Sequence, residues 1–314
     1  MTRIFAPQKR LPLIRYLLVL SVLALAAGSC TTNDYQTPAT TSTPTALITP
    51  ETLKSWIDAG KVNGTGYDRV VVLDVNSLAN YSAGHVPGAQ FLDSVDIYQN
   101  RREGPATDVN MVLDGTRMNT LVRKYGIDGK TTIVFTGGTG TGSASNYLAV
   151  TRAYWMFRYW GFAKERLKLL DGINTSWKAA YGLVTVAAPA AAPSTFSVTS
   201  NRVLRADLRA SLAEMISAAD GYKPNTLTVD FRSGEADNSY AGQRGKTGGI
   251  FTSFTGTTSV SDFVVFEGHI RGARAMNYVD LFDSANNFRL KSTADLITLL
   301  AAVGINGSQT TLVH

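Results

Sequence analysis

The chain has 314 residues, 44% of them hydrophobic, and a formal net charge of +6 at pH 7. This length suits two domains of ordinary size, and the hydrophobic fraction is normal for a protein with a sizeable core. The net positive charge does not indicate nucleic-acid binding, because residues 1–29 carry four cations and no carboxylate. Without those residues the formal net charge is +2. Those cations are Arg3, Lys9, Arg10 and Arg15.

Residues 1–29 are predicted to be an export signal. The apolar run from Tyr16 to Ala27 is shorter than the ~20 residues of a membrane span, which favours a cleaved signal over an uncleaved anchor. Ala27-Gly28-Ser29-Cys30 resembles a bacterial lipoprotein cleavage box, with Ala27 in place of the usual Leu. That resemblance implies a diacylglycerol on Cys30, the chain's single cysteine, and no free thiol. Thr31, rather than Asp, after the cysteine resembles outer-membrane lipoproteins.

Two low-complexity segments divide the rest of the chain. Residues 31–50 are rich in Thr and Pro, which is typical of a flexible tether, and prolines interrupt the Ala-rich stretch from Val186 to Ser194. We therefore expect a signal peptide at 1–29, a tether at 30–50, a first domain at 51–186, a linker at 187–194 and a second domain at 195–314.

Short β-rich runs alternate with amphipathic stretches. Val70–Asp74 and Thr131–Phe135 have the pattern of buried strands, whereas Met118–Tyr125 and Ser145–Tyr159 have that of helices. This alternation predicts an α/β fold with a mainly parallel sheet flanked by helices. In such sheets the ligand site lies beyond the carboxyl ends of the strands.

An internal repeat indicates a duplication. Three segments recur in order: Gly84–Ala89 as Gly268–Ala273, Val72–Val75 as Thr228–Phe231, and Gly126–Phe135 as Gly304–His314. The second copy carries an insertion of 28 residues, Gly- and Thr-rich around 245–260, which we expect to be a surface loop.

The repeated motifs resemble a known family. Tyr81–Leu92, with its Gly-His-Val-Pro-Gly-Ala core, resembles the rhodanese signature, and Asp171-Gly172 followed by Trp177 resembles the family's Asp-Gly-Gly…Trp element. Asp230-Phe231-Arg232 resembles the Asp-x-Arg beside the active site of catalytic rhodanese domains. From residue 51 onward the chain resembles a tandem-domain rhodanese of the thiosulfate/3-mercaptopyruvate sulfurtransferase family. This implies two rhodanese-like domains, the second incomplete, and no cofactor.

The resemblance implies a cysteine nucleophile directly after the central strand, where loop N–H groups and a helix N-terminus stabilise its thiolate. In the first domain that position is Thr136, which implies a non-catalytic domain. Its loop keeps glycines that suit either an anion cradle or a purely structural loop: Gly137, Gly138, Gly140 and Gly142. A dinucleotide-binding interpretation lacks the acidic residue expected about 20 positions later.

In the second domain the nucleophile is expected directly after His314, where the sequence stops. A selenocysteine codon, a nonsense codon and a trimmed sequence remain open as explanations. The resemblance implies substrate binding by Asp230 and Arg232, with Arg271 as a second cation for an oxyanion.

Two functional hypotheses remain. The first is an envelope-anchored, periplasm-facing sulfurtransferase that takes sulfur from an oxyanion donor to a thiol acceptor through a persulfide. The second is a catalytically inactive envelope module that docks partner proteins or binds anions. A phosphatase of the related Cdc25-like fold would also need the missing cysteine. His85 and His269 are expected to be structural, because no Cys or carboxylate stands at metal-ligand spacing.

Overall fold

The computed structural model describes residues 41–103, 106–231 and 270–313. For residues 103 and 106–109 only the backbone is described, and residues 104 and 105 are not described. The predicted positions at Cys30, Arg232, His269 and His314 lie outside the described residues.

A parallel sheet organises residues 41–186. Its strands lie side by side in the order β1, β7, β6, β2, β3, and every pairing among them is parallel. Their bounds are β1 Leu47–Ile48, β2 Val70–Asn76, β3 Gln90–Asp93, β6 Thr132–Thr136 and β7 Leu167–Leu170. All residues of β2 and β6 are buried, as expected for strands covered on both faces. The α/β prediction is confirmed.

Helices cover both faces of this sheet. On one face α1 (Pro50–Asp58) and α5 (Ile173–Tyr181) bury Leu53, Trp56 and Trp177 against apolar side chains of β2 and β6. On the other face lie α3 (Gly115–Lys124) and α4 (Tyr147–Tyr159). The helix α2 (Leu78–Ala83) connects β2 to β3, and an antiparallel hairpin, β4 (Gln99–Glu103) with β5 (Ala106–Met111), follows β3.

Side-chain caps fix where the helices begin. Thr49 Oγ1 accepts from Thr52 N at the start of α1, where Pro50 occupies the first turn. Asp114 Oδ1 accepts from Arg117 N in the same way at the start of α3.

The predicted tether is shorter than 30–50. Thr41 Oγ1 lies 2.8 Å from Thr132 Oγ1 and is buried, and Leu47–Ile48 pairs with β7. Residues 41–50 therefore pack as part of the first domain, because a short apolar strand within a Thr- and Pro-rich stretch finds an open sheet edge.

The predicted linker lies along the first domain. Gln90 Nε2 donates to Pro189 O at 2.7 Å, and Ser194 Oγ donates to Ile127 O at 2.7 Å. The chain beyond it also packs there, since Val198 of α6 (Val198–Asn201) is fully buried in the same core as α3 and α4.

The remaining described residues form a smaller parallel sheet. Its strands β8 (Thr226–Asp230), β9 (Arg274–Ala275) and β12 (Thr310–Val313) lie in the order β12, β8, β9. This is the arrangement of β6, β2 and β3 in the first domain, as the sequence repeat predicts. Helix α7 (Leu212–Ala219) precedes β8 and α8 (Thr293–Ala302) precedes β12, while β10 (Phe282–Asp283) and β11 (Arg289–Leu290) form a separate hairpin.

Across the described ranges, no helix is both long enough and apolar enough to span a bilayer.

Candidate functional site

The loop that follows β6 occupies the predicted anion-cradle position. It runs from Thr136 to Ser143 and leads through the 3-10 turn Ala144–Asn146 into α4. A Cβ atom at Gly137 would lie 2.6 Å from Val75 O, so only glycine allows the loop to pass this close to β2.

Thr136, which stands at the nucleophile's position, is fully buried. Its Oγ1 donates to Asn174 Oδ1 at 2.8 Å. A hydroxyl without solvent access that already uses its proton in a neutral hydrogen bond has no base to activate it as a nucleophile. The hydroxyl of Thr136 therefore contacts Asn174 inside the domain and is not presented to a ligand.

A buried polar network holds the loop from below. Asn174 Nδ2 donates to Asp74 Oδ2 at 2.8 Å, and Asn76 Nδ2 donates to Asp74 Oδ1 at 3.1 Å. Both amides also lie within 3.1 Å of Gly138 O. The network thus links β2, the loop and the first turn of α5. Sequence reasoning missed Asn76 and Asn174, for which the available signal was an amide in or beside buried apolar segments.

Asp74 is the charged member of this network and is completely buried. Burial raises the pKa of Asp74 to about 6, against the opposing hydrogen bonds from Asn174 and Asn76 and the nearby His85. The two amide donors stabilise the carboxylate, but they do not replace the water that it loses.

The hairpin β10–β11 covers the far end of the loop. The Phe288 ring lies where a Cβ atom at Gly142 would be, so glycine is required for this contact. Tyr147 Oη donates to Phe288 O at 2.9 Å and accepts from Gly172 N at 2.7 Å, while Asp171 Oδ1 accepts from Leu290 N at 3.0 Å. Of the two interpretations of the glycine-rich loop, this covering favours the structural one, although Thr139 remains exposed.

His85 is held on all sides. Its Nδ1 lies 2.8 Å from Tyr81 O, its Nε2 lies 3.1 Å from Val186 O, and its ring stacks on Tyr81 at 3.9 Å. The residue is fully buried, which agrees with the predicted structural role.

Asp230 is the counterpart of Asp74 in the smaller sheet. It is 1% exposed and ends β8, and its backbone oxygen accepts from Met276 N at 2.9 Å. Parallel pairing sets Val229 beside Val313, as Leu73 stands beside Phe135.

Arg271 does not join Asp230. Its Nε donates to Ala219 O at 2.9 Å, and its Nη2 pairs with Asp220 Oδ1 at 2.5 Å. Ala219 and Asp220 end α7, which leads by a short loop into the start of β8, whereas Asp230 ends that strand. The structure thus holds Arg271 at the amino end of the strand, away from the edge where an oxyanion was predicted.

Among the described residues, no three or more His, Cys, Asp or Glu side chains come together where they could hold a metal ion.

Comparison with known proteins fits this architecture. The family model described as a rhodanese-like domain matches residues 49–180. The mitochondrial thiosulfate/3-mercaptopyruvate sulfurtransferase 1 of Arabidopsis thaliana is 24% identical over 225 residues, which cover 67% of this chain and 52% of that protein. The chain therefore spans about half the length of this curated relative.

Two solved structures have similar folds. The anaerobic ergothioneine biosynthesis enzyme of Chlorobium limicola, solved with trimethyl histidine, superposes with a TM-score of 0.64 at 16% identity, covering 86% of this chain and 60% of the enzyme. SseA of Escherichia coli, solved in work on 3-mercaptopyruvate sulfotransferases, has a TM-score of 0.60 at 17% identity and covers 86% and 87% respectively. This chain therefore has a rhodanese-like α/β fold, and its residues 49–180 match the family model of a rhodanese-like domain.

Proposed function

We propose that this chain belongs to a rhodanese-type sulfurtransferase whose reacting group lies in the second domain. The observation that carries the proposal is the position of Asp230, buried at the carboxyl end of β8 beside β12, in the strand arrangement that surrounds Asp74 and Thr136. The relationship to a thiosulfate/3-mercaptopyruvate sulfurtransferase supports the reaction class.

The chemistry is a two-step sulfur transfer. A thiolate or selenolate that follows β12 attacks the outer sulfur of thiosulfate, forms a persulfide or selenosulfide, and releases sulfite. Cyanide or a thiolate then takes that outer sulfur, which gives thiocyanate or a new persulfide and regenerates the nucleophile. Arg232, two positions after Asp230, is the proposed partner of the donor's oxyanion. We leave Arg271 out of this proposal, because its guanidinium pairs with Asp220.

The first domain is proposed to act as a scaffold. Its nucleophile position is filled by the hydrogen-bonded hydroxyl of Thr136, and its loop packs against Phe288 of the second region. These contacts would fix β10 and β11 relative to the first domain, which supports the strands of the reacting domain.

We also propose that the mature protein is anchored in the bacterial envelope by a lipid on Cys30, facing the periplasm. Support comes from the sequence alone: a basic start, a short apolar run, and a small-residue box before the cysteine.

A second candidate function is a non-catalytic docking module. The buried Thr136 and the covered loop support the docking module, because together they form a packed scaffold that presents no nucleophile within the described residues. The two functions are separated by measuring thiosulfate:cyanide sulfur transfer with a chain that includes the complete second domain. Turnover that falls at least tenfold in Arg232→Ala supports the enzyme, because removing a charge-assisted contact to the donor costs about 1.4 kcal/mol or more. No turnover in that complete chain supports the docking module.

A further inference from the structure

A cavity of about 690 Å³ opens at the end of the first domain opposite the β6 loop. It lies between the C-terminal end of α4, the 3-10 turn Lys164–Arg166 and the chain at 201–205. Because α4 begins beside the loop and runs for 13 residues, its far end is about 20 Å away from it. The cavity is thus separate from the β6 loop, and none of its lining residues belongs to β8, β9 or β12.

The backbone around the cavity is firmly packed. Arg205 N donates to Tyr159 O at 2.8 Å, and a Cβ atom at Gly161 would collide with Val203 O. Gly161 has φ +83°, a conformation that favours glycine. The chain after the linker is therefore fixed against α4, and the cavity between them is a feature of the fold.

Positive charge dominates the lining. Four cations face one carboxylate, Glu165; the cations are Arg158, Lys164, Arg202 and Arg205. Asp207, just outside the lining, neutralises Arg205 at 2.6 Å. The exposed Lys164 ammonium has no hydrogen-bond or ion-pair partner among the described residues. An excess of about two positive charges therefore remains to be balanced.

Arg202 is the most constrained of these cations. Its guanidinium carbon lies 4.8 Å from the Phe162 ring centre and 5.3 Å from that of Phe196. Burial lowers the pKa of Arg202; the negative charge of Asp128 opposes this shift, and the positive charge of Arg166 adds to it. Its Nε is buried without a hydrogen-bond partner, and its Nη2 has only a long contact of 3.4 Å with Gly129 O. The guanidinium thus keeps unused donors in the wall of a positively charged cavity.

We propose that this cavity binds a phosphate-bearing anion with two or more negative charges. Guanidinium groups donate in a fork that matches phosphate oxygens, and Lys164 adds a mobile point charge. The cavity is larger than a single inorganic anion requires. Val203 in the lining is 81% exposed and the adjacent Leu204 is 40% exposed, so the ligand's source is either a free phosphorylated small molecule or the headgroup of an anionic phospholipid.

Titration calorimetry with pyrophosphate and flotation with phosphatidylglycerol or phosphatidylcholine vesicles test this proposal. The full chain is used with Cys30→Ser, so that no lipid anchor contributes. We expect saturable binding of pyrophosphate, of phosphatidylglycerol vesicles, or of both, that weakens about tenfold in Lys164→Gln, the change expected for one charge-assisted contact. Binding by pyrophosphate alone identifies a free ligand as the source, and binding by vesicles alone identifies a headgroup.

The matched control is Lys124→Gln, which removes the same charge from an exposed position at the end of α3, outside the cavity. It should bind as the parent protein does. Absence of binding to both probes overturns the proposal, and so does an equal loss in the two variants, which would indicate general charge attraction. Because Lys164 is exposed, the variant is expected to fold, and Arg202→Gln adds a second test where its circular dichroism matches that of the parent.

Discussion

Thr136 illustrates how a single side chain can close a reactive position. Its hydroxyl is buried and donates to Asn174, so the site that would present a thiolate to solvent instead faces the interior. We predict that Thr136→Cys, in a Cys30→Ser background, reacts with a disulfide reagent only on unfolding, because burial keeps the thiol protonated and inaccessible.

The matched control is Thr139→Cys, three residues further along the same loop and exposed. Its thiol should react at least a hundredfold faster in the folded protein, since reaction at the buried site requires a local opening of roughly 3 kcal/mol or more. Equal rates for the two cysteines would show that the loop is open in solution.

Asp74 makes stability depend on pH. Its pKa is about 6 in the folded protein against an ordinary value of 3.8, so the folded state keeps its proton at higher pH than the unfolded chain does. Stability is therefore lost as pH rises from about 4 to about 6, by about 3 kcal/mol in total, and stays level above that window.

Urea unfolding, followed by tryptophan fluorescence at several pH values, measures this effect. We predict that the stability difference between wild type and Asp74→Asn changes by about 2 kcal/mol between pH 4 and pH 6.5, to the disadvantage of wild type at the higher pH. Asp58→Asn, which removes an exposed carboxylate paired with Lys54, is the control for charge loss. A difference that is constant with pH would contradict the buried-carboxylate account.

At the level of elements, the hairpin β10–β11 joins the two regions of the chain. Phe282 is 8% exposed and its ring lies 4.3 Å from that of Tyr147, so residues 135 positions apart share one core. Phe288 adopts φ +56°, a strained conformation for an aromatic residue, and its contacts with Gly142 and Tyr147 hold it there.

We predict that Phe282→Ala lowers the free energy of unfolding by about 3 kcal/mol, the usual cost of removing a buried phenyl ring. Val279→Ala, on the preceding turn and 39% exposed, should change it by less than about 0.5 kcal/mol. Denaturant titration of both variants checks this. A loss below 1 kcal/mol in Phe282→Ala would mean that the hairpin does not pack on the first domain.

Local sequence patterns predicted the sheet and its helices, but they did not predict the hairpin that packs on the loop after β6 or the polar network around Asp74. The apolar runs at Val70–Asp74 and Thr131–Phe135 became β2 and β6, and the stretch Ser145–Tyr159 became α4, which begins two residues later than predicted, at Tyr147. These elements follow from periodicity alone. The burial of the loop by Phe288 could not be predicted, because Phe288 is held there by a hydrogen bond from Tyr147, which lies 141 residues earlier in the chain. The Asp74 network was missed for the same reason, since Asn174 is 100 residues away from Asp74.

At the scale of the whole molecule, the basic residues and the apolar run before Cys30 predict a lipid-anchored protein of the bacterial envelope. We predict that cells fed a labelled fatty acid incorporate the label into the full-length protein, and that Cys30→Ser abolishes this incorporation and releases the protein from the membrane fraction. Unchanged labelling in the variant would contradict lipidation at Cys30.

The central claim is that sulfur transfer requires a thiolate or selenolate after β12, and that the first domain supplies none. Mass spectrometry of the protein after brief exposure to thiosulfate tests it most directly, in two chains: residues 31–314, and the same chain continued through a complete second domain. The account predicts that the continued chain gains one sulfur atom at the residue after His314 and loses it to cyanide, while the 31–314 chain gains none. Sulfur uptake or thiocyanate formation by the 31–314 chain, which contains no cysteine, would contradict it.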